Sequence, residues 1–165
     1  MFTIWRRARK KHPSPRMRLL ELTIATRYAA SRLGLLANRV RATYMRTRDE
    51  SLLKLLNNIL HIQSVLEIMS IRLETLAVVG VVSANELRVV KEVLARIRGK
   101  YAGIQPMIDS ILLELENMAS SIAAETGIEP TPAPAQGSQP VDPAIEKILE
   151  EAKAIADART KEIVG

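Results

Sequence analysis

Apolar residues recur along this chain at alternating three- and four-residue intervals. Leu19, Leu22, Ala29, Leu33, Leu36 and Val40, with Thr26 in step, form the first series. Leu52, Leu55, Ile59, Ile62, Leu66, Met69, Leu73 and Leu76 form the second without a break. The third runs Leu87, Val90, Leu94, Ile97, Tyr101 and Ile104, and resumes beyond Pro106 with Ile108, Leu112, Leu115 and Ile122. This spacing places each series along one face of an α-helix, as in a coiled-coil seam. Leu53, Leu56 and Leu60 widen the second face, which predicts contact with more than one neighbour.

Cap signals divide the pattern. Ser14-Pro15 reads as an N-cap followed by proline at the first helical position. Thr47-Arg48-Asp49-Glu50 and Ser83-Ala84-Asn85-Glu86 both fit the capping box. Gly80 and Gly127 are suited to end the second and third segments. Pro106 removes a backbone donor, so it kinks the third segment or splits it. The predicted helices cover about 15–46, 48–79, 84–104, 106–126 and 143–163.

Before the last of these lies GIEPTPAPAQGSQPVDP, and five of the eight prolines fall between residues 130 and 143. Such a stretch is an extended linker rather than a core element. After Asp142-Pro143 comes AIEKILEEAKAIADARTKEIV, with Ile145, Ile148, Leu149, Ala152, Ile155 and Ala156 as its apolar stripe. Glu146, Glu150, Glu151 and Asp157 give it an acidic character. A lone tethered helix cannot bury such a stripe by itself, so it docks on its own domain or on a partner. The chain thus divides into an N-terminal segment 1–14, a helical core 15–127, a linker 128–142 and a C-terminal helix 143–165.

Composition narrows the class. Hydrophobic residues make up 47% of the 165, but aromatics only 3%, which favours packing of aliphatic helices over a β-sandwich. The absence of cysteine excludes disulfides, thiolate metal sites and a cysteine nucleophile. No apolar run is long enough to span a bilayer. The terminus is not read as a secretory signal, because its short apolar part precedes its positive charge. Residues 1–48 hold thirteen of the 24 Lys and Arg and a single acid, Glu21, for a net +12. The rest of the chain carries eleven bases against seventeen acids, a net of −6.

No catalytic constellation emerges. His12 lies in the basic tail, and His61, within NNILHIQSVL, reads as a structural helix residue. Phosphate-binding glycine loops and H-E-x-x-H are absent. Glu114 and Glu116 point to different sides of a helix. The expectation is a non-enzyme without a cofactor or a metal.

The charge pattern is more informative. Arg18, Arg32, Arg39 and Arg46 share one heptad position, and Arg27, Arg41 and Arg48 another. The two rows flank the apolar seam of the first helix. A solvated surface normally mixes both signs, whereas this one has one acid in 48 residues, so an anion-binding face is expected. Arg16 belongs to the same field. Ahead of it, MFTIW supplies Phe2, Ile4 and Trp5, and Arg6, Arg7, Arg9, Lys10 and Lys11 follow. A hydrophobic wedge joined to a basic run is the two-signal arrangement that holds proteins on anionic membranes, and nucleic-acid-binding tails have no need of the wedge.

At IRLETL (71–76) followed by Gly80, at GIQPMIDSILLELENM (103–118) and at ILEEAKAIADARTKEIV (148–164), the chain resembles the archaeal ESCRT-III proteins, the CdvB group of cell-division proteins. The likeness is clearest over residues 52–126 and returns in the C-terminal helix. It implies an all-α fold: a long helical hairpin with shorter helices packed against it, a basic first helix and an acidic C-terminal part that closes the monomer. The stretch between Thr47 and IRLETL is shorter than the family's second helix. The hairpin tip therefore lies near Thr47 or earlier, or residues 15–79 form one continuous helix, as in the family's open state. No winged-helix module follows the core, which implies a short paralogue.

The resemblance further implies a filament subunit that polymerises with itself or with paralogues on anionic membrane and drives constriction and scission in cell division. A partner AAA ATPase with an MIT domain would remodel it, supplying the ATP energy. EPTPAPAQGSQP resembles the extended kind of ATPase-binding motif, and AIADARTKEIV the helical kind, with Arg159 and Ile163 in place. In this reading Phe2, Ile4 and Trp5 insert into the membrane, and the basic residues from Arg6 to Arg41 hold headgroups. Leu52 to Leu76 form the hairpin and polymer seam, and Gly80 and Pro106 act as hinges. Ile148, Leu149, Ile155, Arg159 and Ile163 form the autoinhibitory or ATPase-binding face. The protein would be cytoplasmic and peripheral on the inner face of the cell membrane at the division site. The competing classes are a basic helical nucleic-acid-binding protein and a coiled-coil adaptor.

Overall fold

Ser14 caps the first helix with its side chain: Oγ accepts from the Met17 N–H at 3.2 Å, and Pro15 occupies the first helical position. From there α1 (Pro15–Thr47) and α2 (Glu50–Val79) run antiparallel as a long hairpin. α3 (Ala84–Lys100), α4 (Pro106–Glu125) and α5 (Pro143–Val164) pack around it. The computed structural model describes residues 14–80, 84–125 and 142–165, and within them all regular structure is helical. The Ser83 cap, the Gly127 terminus, the proline-rich linker and the segment ahead of Ser14 lie outside the described residues.

The hairpin tip is two residues, Arg48 and Asp49, so α1 and α2 are not one continuous helix. Thr47 is not the cap of α2. It ends α1, where its hydroxyl donates to the Thr43 carbonyl at 2.9 Å. Asp49 takes the capping role, accepting from the backbone and the hydroxyl of Ser51 at 2.9 and 2.8 Å. Those two bonds, the hydroxyl's first, hold its carboxyl below the usual carboxylate range. Arg48 closes α1 in the left-handed region, φ 56°, with its guanidinium 5.6 Å from the Tyr44 ring centre. That backbone conformation costs a residue with a Cβ about 1–2 kcal/mol. Arg48 already carries that cost, so Arg48→Gly is expected to match the parent or exceed it by up to about 1 kcal/mol, whereas β-branched Arg48→Val, strained further at positive φ, falls below it; urea unfolding separates the two.

The inner face of α1 is small where that of α2 is large. Ala29, Ala30 and Ala37 meet a face built from Ile59, Ile62, Leu66, Met69 and Leu73. At Gly34 an added Cβ would stand 2.9 Å from the Gln63 side-chain amide nitrogen, so the missing side chain leaves the room that the Gln63 amide occupies. Thr23 and Thr26 sit in the seam because their hydroxyls return to the Leu19 and Leu22 carbonyls at 2.8 and 2.7 Å. Of the predicted second seam, Ile59, Ile62, Leu66, Met69 and Leu73 are buried, and Leu52, Leu55 and Leu76 are half-buried. Leu56, Leu60 and His61 extend the buried surface of α2, which packs against α1 and α5. The wide face predicted two neighbours, and α2 has them.

Pro106 divides the third segment rather than kinking it. α3 ends at Lys100, four residues earlier than the spacing suggests, and Gly103 turns the chain at φ 80°. Proline also disfavours helical geometry in the residue before it, which frees Gln105 to accept the first hydrogen bonds of α4. Tyr101 remains buried and Ile104 half-buried despite lying in this turn. Gly80 ends α2 in the left-handed region at φ 77°, donating to the Leu76 carbonyl at 3.0 Å. One hydrophobic core contains residues of all five helices.

The C-terminal helix is docked. Asp142 caps it, and Ile145, Ile148, Ala152 and Ala156 are buried, chiefly against α2 with further contact to α3. Ile155, expected in the same stripe, is exposed at 37%, because the buried positions step by 3, 4 and 4 residues and drift away from the edge on which it lies. Nor is α5 the acidic counterweight to α1: it carries five acids and four bases. That part falls to α4, which holds four acids and no base and packs on α1.

Candidate functional site

An α-helix advances about 100° per residue, so residues 17, 24, 28 and 35 lie in one narrow strip. On α1 these are Met17, Ile24, Tyr28 and Leu35, and all four face solvent, with Ile24 and Tyr28 each 66% exposed. The strip lies opposite the Leu19 to Val40 seam. Arg32, Arg39 and Arg46 follow one of its edges; Arg16, Arg27 and Arg41 follow the other. α1 is thus apolar on two sides, one buried in the hairpin and one outside it, with arginines between. Ile24 and Tyr28 are neighbours one turn apart, and Met17 and Leu35 stand two turns to either side with Glu21 and Ser31 between; exposed apolar side chains aligned on an outer surface mark an interaction face.

The arginines are not equivalent. Arg18 reaches across to α4, with Nε and an Nη each 2.8 Å from the Glu125 carboxylate, and it also contacts Glu21 at 2.9 Å. Arg27 pairs with Glu74 of α2. Arg32 lies over the Tyr28 ring, 5.8 Å from its centre. Arg16, Arg39, Arg41 and Arg46 have no acidic partner among the described residues. Neutralisation is therefore concentrated in the half of α1 away from the tip, and the half nearest the tip keeps its positive charge. Phe2, Ile4, Trp5, Arg6, Arg7, Arg9, Lys10 and Lys11 lie outside the described residues; their segment leads into Ser14, next to Met17 at the start of the strip.

The spacing of the arginine rows was legible in the sequence, but the apolar strip between them was not singled out. Its signal was present: the four residues are 7, 4 and 7 apart, the same repeat as the buried seam. In a helix with two apolar faces, periodicity does not say which one is covered.

The face of α5 is engaged within the molecule. Ile148 is buried and Leu149 half-buried. Arg159 lies 3.5 Å from Glu67 of α2, and Ile163 lines a groove with Gly34, Ala37 and Arg41. Asn57 of α2 donates to Asp157 and Thr160 at 3.1 and 2.9 Å. Arg96 of α3 meets Glu146 at 2.7 Å. Of the two hinge positions, Gly80 ends α2 and Pro106 opens α4.

His61 is the hub of this docking. Its Nε2 lies 3.3 Å from the Leu149 carbonyl, and its Nδ1 meets the Tyr101 hydroxyl in a short contact. The carbonyl can only accept, so Nε2 carries the proton and Nδ1 accepts from Tyr101. Burial holds the imidazole below its ordinary pKa against the opposing pull of the Leu149 carbonyl, with nearby Lys100 and Lys153 adding to the depression. Burial, and then Asp157, push the Tyr101 hydroxyl up to about 12. Both ring nitrogens are thus spent joining α2, the turn after α3 and α5. Among the described residues no group of three or more His, Asp or Glu is placed to hold a metal ion, and no helix is long and apolar enough to cross a membrane. Glu116 pairs with Arg98 of α3, while Glu114 faces the groove between α1 and α4.

Comparison with family models, curated proteins and solved structures finds no match to this chain.

Proposed function

We propose that this protein is an ESCRT-III-like filament subunit that binds anionic membrane through α1 and the segment before it, and that polymerises there during cell division. The observation that carries this reading is the outer strip of α1, Met17, Ile24, Tyr28 and Leu35, set between arginines. An apolar strip with cationic edges suits the boundary between acyl chains and headgroups. Phe2, Ile4 and Trp5 add a wedge at the end of that strip, and Arg6 to Lys11 a second cationic cluster. The hairpin with a docked α5 is in keeping with a closed subunit. While Ile148, Leu149 and Arg159 are held by the hairpin, they cannot serve a partner, so capture by an ATPase with an MIT domain requires α5 to leave. The reading places the protein on the cytoplasmic face of the membrane, assembling with itself or with paralogues.

Liposome co-sedimentation with electron microscopy tests it. Wild type is expected to bind vesicles rich in anionic lipid and to form filaments or tubules on them. A variant lacking residues 1–11 and a variant with Ile24→Asp and Leu35→Asp are each expected to lose most of the bound fraction. Trp5 fluorescence should shift to the blue on binding. Failure to bind vesicles, together with DNA affinity that falls steeply with salt, would establish the nucleic-acid reading instead. A stable oligomer with affinity for neither anion would establish the adaptor.

A further inference from the structure

Between the start of α1 and the length of α4 runs an open groove of about 460 Å³. Its apolar wall includes Leu113, 47% exposed, with Met118 and Ile122. Its acids are Glu21 and Glu114. Its one base, Arg18, is already matched by Glu21 and Glu125. We propose that the segment Phe2–Lys11 of the same chain seats in this groove when the protein is free of membrane, burying Phe2, Ile4 and Trp5 against Leu113 and Met118.

Charge selects this occupant. Of the four acids of α4, Glu116 and Glu125 are paired with Arg98 and Arg18, and Glu114 lines the groove with no basic partner among the described residues, whereas residues 1–13 hold five Lys and Arg and no acid. The groove where α1, α2 and α5 meet is lined by two bases, Arg41 and Arg159, and one acid, Glu162, and so suits a basic segment less well. Position agrees with charge. Arg18 lies one helical turn from Ser14, where the segment joins, and its N–H bonds to the Ser14 carbonyl at 3.1 Å. Along α4 the groove extends from Ser110 to Ile122, roughly 18 Å at 1.5 Å per residue, which matches about five extended residues. The stretch from Phe2 to Arg6 has that length, and the residues up to Pro13 leave ample chain to reach it. Leaving the three hydrophobes in water would expose a sticky terminus on every free subunit; the groove covers them beside charges of the opposite sign. The groove and its charges are independent of any lipid, so this inference stands whether or not the membrane reading does.

The absence of cysteine makes the test clean. The double variant Ile4→Cys, Asn117→Cys is oxidised in dilute, lipid-free solution; Asn117 is exposed in the groove, so its substitution spares the core. The expected result is an intramolecular disulfide, lost when Leu113→Lys is added, and a Trp5 emission in the otherwise native protein that moves to the red with Leu113→Lys. Circular dichroism confirms that each variant is folded. Three results would overturn the proposal: no crosslink, with Trp5 fully quenchable in the native chain; a crosslink only between two chains, which gives the groove to a second copy; or efficient crosslinking of Gln136→Cys, Asn117→Cys in place of the Ile4 pair, which gives it to the linker.

Discussion

Replacing Ala152 with arginine is expected to expel α5 from the hairpin. Ala152 is fully buried in the face that α5 turns to the core. An arginine there adds several heavy atoms to a packed contact and buries a charge with no partner in place, at a cost of several kcal/mol. What holds α5 is of the same order. Ile145 and Ile148 contribute roughly 1.5–3 kcal/mol each by burial, and the alanines and the exposed ion pairs add less. Expulsion is therefore the easier response than distortion of α1 and α2, whose seam does not include Ala152. Once detached, a 22-residue helix is marginal in water. Amide hydrogen exchange should show α5 losing protection while the α1–α2 seam retains it. Loss of protection throughout would mean that α5 is integral to the fold. On the proposed function the same variant should bind and polymerise on membrane more readily than the parent, since the α5-facing side of α2 is then free.

Changing His61 acts on the same docking from the other side. His61→Phe keeps a ring edge-on to Tyr101, where the native centroids are 5.5 Å apart at 79°, but removes both hydrogen bonds. It leaves the Tyr101 hydroxyl without its acceptor, while the Leu149 carbonyl, inside α5, keeps its helical bond, so a loss of about 1–3 kcal/mol is expected in urea unfolding. In the native protein the imidazole pKa is depressed, so the folded state prefers the neutral ring. Its contribution is complete above the ordinary value of 6.5 and is lost as pH falls below it, because the unfolded chain then binds the proton more readily. Stability measured from pH 7.5 down to 5 should fall more steeply for wild type than for His61→Phe. Parallel curves would show that the ring does not titrate on this account. Other groups near the ring, Arg96, Lys100, Lys153 and Asp157, are common to both proteins and cancel in the difference.

Much of the fold was written in three- and four-residue spacings, and four of the five predicted helices begin within a residue of the observed ones. The second did not, because Thr47 and Asp49 are both competent caps and only the chain geometry decides between them. The end of α3 was missed because Tyr101 and Ile104 keep the apolar rhythm through a turn; both stay in the core, but on backbone that has left the helix. Ile155 was included in the α5 stripe because a helical wheel gives the width of an apolar face and not its centre. Pairings across helices, such as Arg72 with Glu86 at 2.6 Å, leave no trace in local sequence. The basic character of α1 was plain from composition, but its division into matched and unmatched arginines depends on where Glu74 and Glu125 arrive in space.

That division has a mechanical consequence. A hairpin α1 of 33 residues is a rod of roughly 50 Å. Its positive charge is compensated in the stretch of Arg18 and Arg27 and left bare from Arg39 to Arg46, while the five Lys and Arg of residues 6–11 precede its first residue, so the charge is weighted to the two ends. Near any anionic surface such an object is drawn by both ends and repelled by neither, so at low salt it settles lengthwise, with the strip of α1 along the surface. The ion pairs of Arg18 and Arg27, modest as fasteners, thereby decide how evenly the pull is spread along the rod, and reversing Glu74 or Glu125 would change how the molecule lands before it changed how tightly it held.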